Sequence, residues 1–134
     1  MAPGLPLSDI HPAVEARFND QDLEGLVALY APDASLVQLD GTTLTGVDAI
    51  REAYAAFLEL KGHMTVRSRY AIEAGDLAVL SNEWRYTVGD QSMSAVTAEV
   101  ARRQPDGGWL YVVDHPWASL EPDEAAALGA ALEG

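Results

Sequence analysis

The chain has 134 residues, with 21 acidic against 8 basic side chains, a formal net charge of −13 and no cysteine. That length suits one domain able to bury about two-thirds of its surface without a staple; the missing thiols exclude disulfides, thiolate metal sites and a cysteine nucleophile. So acidic a surface repels phosphate backbones and anionic lipid, which argues against nucleic acid or a membrane as partner.

The opening "MAPGLPLSDI" has neither the basic region nor the apolar run of an export signal, and no stretch reaches the ~20 apolar residues of a membrane span; the expectation is a cytoplasmic protein. From Ser8 to Asp20, Ile10, Val14 and Phe18 recur every four residues, which predicts a helix. "NDQD" breaks it, and Asp20 is expected to cap a second helix with Asp22 in its first turn. Leu23, Leu26, Val27 and Tyr30 form that helix's apolar stripe, and "APD" stops it. "ASLVQL" reads as a short strand, and Asp40-Gly41 as a two-residue hairpin turn. "TGVD" opens a third helix as a capping box with Thr45 at the cap; Val47, Ile50, Tyr54, Phe57 and Leu58 line one face, and Lys61-Gly62 ends it.

After Gly62 the pattern is strand. "HMTVRSRYAIE" alternates, and short turns separate it from "LAVLSNEWRYTV", "SMSAVTAEVARR" and "WLYVVDHPWAS", an antiparallel meander. Residues 119 to 134 are expected to form a peripheral helix or tail, with Pro122 and three acids suited to its first turn. In the last strand Trp109, Tyr111, Val113, His115 and Trp117 share one face, and Leu110, Val112, Asp114, Pro116 and Ala118 the other. Neither face is polar. One is therefore expected to meet the helices and the other a second copy of the chain, giving a homodimer through the outer sheet face.

This order of elements, together with "NDQDLEGLVALYAPDASLVQ", the Gly46–Tyr54 segment "GVDAIREAY", Thr97 in "AVTAEVARR" and "GGWLYVVDHPWAS", resembles the nuclear transport factor 2-like superfamily, in its ketosteroid-isomerase-like and SnoaL-like branch. The likeness spans roughly residues 8 to 119 and implies a single α+β domain, three N-terminal helices wrapped by a curved, mostly antiparallel sheet into a cone with a pocket inside. The isomerase's machinery does not carry over: the position of its aspartate base falls on Gln38, and that of its oxyanion-binding tyrosine on Val14. Gln38 is thus a ligand-contacting candidate and no base. The SnoaL-like branch places an acid–base group among the late strands, which implies Asp114, with His115 as the second candidate.

The bland readings stand beside these. Asp114 either faces the pocket, where burial would raise its pKa, or pairs with Arg85 or Arg102. His115 either transfers protons or sits satisfied at a strand end or subunit interface. Adjacent strand residues point to opposite faces, so both enter one pocket only if a bulge breaks the alternation. Arg102, on the face of Val96, Ala98 and Val100, either binds a ligand oxygen inside the cone or lies exposed. Tyr30, Tyr54, Trp84 and Trp117 either wall an aromatic pocket or are ordinary core. His11, His63 and His115 lie in separate elements without metal-ligand spacing, and phosphate or dinucleotide fingerprints are missing, so neither metal nor cofactor is implied. The expected activity is cofactor-independent acid–base chemistry (cyclisation, isomerisation or dehydration) on a small apolar or aromatic carbonyl compound. The alternative is a non-catalytic ligand-binding or dimerisation module of the same fold.

Overall fold

The computed structural model describes residues 4–133. A 3-10 turn at Leu7–Asp9 leads into α1 (Ile10–Asn19), α2 (Leu23–Val27), β1 (Tyr30–Val37), β2 (Thr43–Thr45) and α3 (Val47–Leu58). The strands β3 (His63–Ala74), β4 (Leu77–Val88), β5 (Gln91–Val96), β6 (Ala98–Arg103) and β7 (Trp109–His115) follow, then α4 (Pro122–Glu133). The sheet runs β2-β1-β7-β6-β4-β3, with β5 pairing the far half of β4. Among the described residues, only β1 and β7 pair in parallel.

The sheet has one buried face. Along β4, Ala78, Leu80, Trp84 and Tyr86 are buried, while Leu77, Val79, Glu83 and Arg85 between them are exposed. The inward set joins Ile10 and Phe18 of α1, Ile50 and Leu58 of α3, Ala101 and Tyr111 in one core. Strand β3 lies at the sheet's edge, where unpaired backbone groups would need covering. Asn19 of α1 supplies the cover, donating to the Met64 carbonyl and accepting from its N–H, both at 2.8 Å, while Glu15 accepts from Val66 N–H at 2.7 Å.

Three irregularities bend the sheet, as extra residues on one strand do. Arg69 is extra on β3, between the pairs Ser68↔Asn82 and Tyr70↔Ser81. Val112 is extra on β7, between Tyr111↔Ala101 and Val113↔Val100. The parallel β1–β7 pairing jumps from Tyr30↔Tyr111 to Ser35↔Val113. Strands β5 and β6 hold one register on β4 and part only at Thr97, whose hydroxyl, in place of a carbonyl, accepts the Asn82 N–H at 2.9 Å.

Several element ends differ from expectation. Tyr30 opens β1 rather than closing the second helix, because α2 stops at Val27 and the chain extends to pair with β7. Asp22, not Asp20, caps α2 by accepting from Gly25 N–H at 2.9 Å. The residue capping α3 is Gly46, at φ +94°, a conformation open to glycine, and Thr45 makes no capping bond. The β1–β2 hairpin closes on Gln38 and Thr42 around a three-residue turn with Gly41 at φ +88°.

On the outer face Ile72, Val79, Val100 and Val113 stand opposite one another across β3, β4, β6 and β7. Ile72, Val79 and Val113 are exposed, so this side of the sheet is an apolar band. No helix among the described residues is long and apolar enough to cross a membrane.

Candidate functional site

Between the inner sheet face and helices α1 and α3 lies a cavity of about 300 Å³. Its walls are mostly hydrocarbon and aromatic: Phe18 from α1, Tyr54 and Phe57 from α3, Trp84 from β4, Tyr111 from β7 and Trp117 beyond it. Trp84 and Trp117 meet edge to face with centroids 5.0 Å apart, and Trp84 is anchored by its indole N–H to the Pro116 carbonyl at 2.8 Å.

Asp114 lines this cavity and is 5% exposed. The Val112 bulge puts it there, since by strict alternation Tyr111 and Asp114 would face opposite ways, and the extra residue returns both to the inner wall. Its carboxyl pairs with neither Arg85 nor Arg102. It accepts from the Tyr30 hydroxyl, which is hydrogen-bonded to the Tyr54 hydroxyl, so two phenols end in one acid. The other oxygen, Oδ1, is buried without a hydrogen-bond partner. Loss of hydration pushes the Asp114 pKa from 3.8 to about 8; the Glu99 charge adds to the shift and the Tyr30 hydrogen bond opposes it. Burial also raises both phenols well above the usual tyrosine range, with the Asp114 charge next in importance, so both stay protonated donors.

Glu99 stands directly opposite Asp114 in the β6–β7 register and lines the same cavity. It is 3% exposed. His11 Nε2 lies 2.8 Å from Oε1, the Thr97 hydroxyl donates to Oε1 at 3.0 Å, and Asn82 Nδ2 donates to Oε2 at 3.2 Å. His11 Nδ1 is in turn held 2.9 Å from Ser68 Oγ, the residue just before the β3 bulge. A buried carboxylate is tolerable with that many donors and a basic ring beside it.

The other sequence candidates fall in different places. Tyr54, Trp84 and Trp117 line the cavity, and Tyr30 stands one hydrogen bond behind Asp114. Gln38 also lines the cavity, its amide donating to Thr42 Oγ1 at 3.1 Å. His115 pairs with Ala98 in register and is not part of the wall; burial lowers its pKa, and its Nδ1 has no hydrogen-bond partner. Arg102 is not inside the cone: it reaches Asp33 at 3.5 Å on the outer face. The apolar residues Val96, Ala98 and Val100 that share its side are directed outward, and the inward set is Ala95, Thr97, Glu99 and Ala101. Sequence reasoning missed Glu99, His11, Asn82 and Thr97. The available signal was an acid placed between small residues, Thr97 and Ala101, at strand spacing.

Helices wrapped by a bent sheet, with an acid in an apolar hollow between the layers, define an α+β cone of the nuclear transport factor 2-like class. The chain belongs to the SnoaL-like domain family, whose model matches residues 13–114. Among solved structures it is similar to a candidate association domain of a calcium/calmodulin-dependent protein kinase type II from Thiobacillus denitrificans, at 18% identity and TM-score 0.74 over 90% of this chain and 100% of that one. A protein of unknown function from Mycobacterium tuberculosis gives 20% identity and TM-score 0.74 over 95% of this chain and 90% of the other. A candidate dehydratase from Streptomyces avermitilis gives 20% identity and TM-score 0.69 over 81% and 90%. No curated protein matches the chain. Likeness at these identities speaks for the fold, and activity has to be argued from the site.

Proposed function

We propose that the cavity is the active site of a cofactor-independent enzyme that moves a proton on an apolar carbonyl compound, with Asp114 as its acid–base group. The observation that carries this is the Asp114 carboxyl, buried in the cavity wall and wired to Tyr30 and Tyr54, with its second oxygen left without a hydrogen-bond partner. A carboxyl held near pKa 8 is mostly protonated at pH 7 and can donate a hydrogen bond or a proton to a carbonyl oxygen as an enol forms. The ionised fraction can take a proton back. The test is deuterium exchange at the α-carbons of 2-tetralone in D2O, followed by NMR. The enzyme should exchange these hydrogens faster than buffer, and Asp114→Asn should slow the exchange at least tenfold while remaining folded. Equal exchange by the variant would show the assignment to be wrong.

The second reading is a non-catalytic binding or association module. Gln38 and Val14 in place of the isomerase residues favour it, as does the likeness to an association domain. The exchange assay separates the two, because a binding or association module would leave the α-hydrogens of 2-tetralone exchanging at the buffer rate.

Both readings are compatible with a homodimer, which we propose to form through the outer sheet face. The apolar row Ile72–Val79–Val100–Val113 would sit at its centre. The flanking charges are of both signs, Arg67 with Glu83 and Arg102 with Asp33, which suits an interface that meets its own copy about a two-fold axis.

A further inference from the structure

We infer that the ligand of this cavity is a cation, an apolar ring or chain bearing a protonated amine whose nitrogen sits against the Glu99–Asp114 wall. The inference rests on the cavity being a small-molecule site and narrows the proposed substrate to a carbonyl compound that also carries a basic nitrogen. Its first support is charge. Two carboxyl groups line the wall as register neighbours, and among the described residues no lysine, arginine or histidine lines the cavity. Five of the chain's eight basic residues, Arg67, Arg69, Arg85, Arg102 and Arg103, lie on the β3, β4 and β6 strands outside it. His11 stands behind Glu99 and does not face the hollow. An anion entering here would lose its hydration and meet two carboxyl groups with no cationic side chain to offset them.

The second support is Asp114 Oδ1, a buried oxygen with no donor in the protein. An ammonium N–H satisfies it and supplies the opposite charge. The third is aromatic. Tyr54, Phe57, Trp84 and Trp117 bring ring faces and edges around the same hollow, and the negative faces of such rings favour an organic cation.

The charge logic has a proton signature. The groups that face Asp114 are Tyr30 from β1, Tyr54 from α3, Tyr111 from its own strand and Glu99 from β6 with His11 behind it; none of them faces the cavity as a cation. With its pKa near 8, Asp114 is mostly protonated at pH 7, and a cation docking beside it would drive it to ionise, releasing close to one proton and leaving Asp114 in the form that takes a proton from the substrate's α-carbon rather than the form that donates one.

Calorimetry at pH 7 with three probes of one size tests this: 2-naphthylmethylamine, 2-naphthylmethanol and 2-naphthoate. The amine should bind at least about tenfold tighter than the alcohol, and the naphthoate more weakly than either. Repeating the amine titration in buffers of different ionisation enthalpy should show the released proton. Asp114→Asn should abolish that release, and Glu99→Gln should bring the amine toward the affinity of the alcohol. An alcohol or naphthoate that binds as tightly as the amine overturns the inference while leaving the small-molecule site intact. Failure of all three to bind overturns the inference and the site together.

Discussion

Replacing Asp114 by asparagine should stabilise the protein at neutral pH while removing the proposed activity. An acid whose pKa is raised on folding, here from 3.8 to about 8, binds protons more tightly in the native state. Its native form is therefore favoured at low pH, and stability is lost as pH rises from about 4 and stops falling above about 8. By linkage the accumulated cost at pH 7 is on the order of 4 kcal/mol, since each pH unit between the two pKa values contributes about 1.4 kcal/mol. Asparagine is always neutral and keeps an oxygen to accept from Tyr30; its buried N–H2 finds no partner at the Oδ1 position, which holds the gain below the full linkage value. The variant should gain about 2–4 kcal/mol at pH 7, a rise in Tm of roughly 10 °C for a chain of this length. Near pH 3.5 the advantage should vanish. Urea unfolding of both proteins at pH 3.5, 5, 6, 7 and 8.5 reads the difference directly. A stability gap that is flat across this range, or an asparagine variant that is less stable at pH 7, would refute the claim that Asp114 is a carboxyl kept neutral by burial.

Two further outcomes follow from the same geometry. His11→Ala removes the ring that supports Glu99 and leaves a carboxylate buried with only neutral donors, so it should cost about 3 kcal/mol in urea unfolding, with His11→Ala/Glu99→Gln recovering part of the loss. Light scattering coupled to gel filtration should show a dimer at about 50 µM, and Val79→Arg, placing a charge at the middle of the outer apolar row, should give a folded monomer; a monomeric parent protein would dispose of the proposed interface.

Most of the architecture was legible because it depends on periodicity. Repeats of four in Ile10–Phe18 and Val47–Leu58, and repeats of two after Gly62, follow from how helices and strands present side chains to one core. Tyr30 was misplaced because it fits the i+7 position of a helical stripe; pairing of Tyr30 with Tyr111 on β7, a contact between residues far apart in sequence, overrides that local pattern.

The site was harder to read for a specific reason. Parity along a strand tells which residues share a face only while the register holds, and Val112 breaks it between the two residues that matter. Without the bulge, Asp114 would sit on the outer face beside the apolar row, and nothing would hold its pKa up. Arg102 went astray through a related ambiguity. When both faces of a sheet are apolar, hydrophobicity no longer marks the inside, and Val96, Ala98 and Val100 pointed reasoning to the wrong one. The same ambiguity hid Glu99. An acid between Thr97 and Ala101 looks solvated if that side is outward, but inward it requires partners, and His11, Thr97 and Asn82 come from α1, the β5–β6 junction and β4 to provide them. Three elements devoting polar groups to one buried carboxylate beside a second, neutral carboxyl is a costly arrangement for a core, where apolar residues of similar size often pack as well or better. That cost is the physical ground on which we propose the Glu99–Asp114 wall as a functional surface.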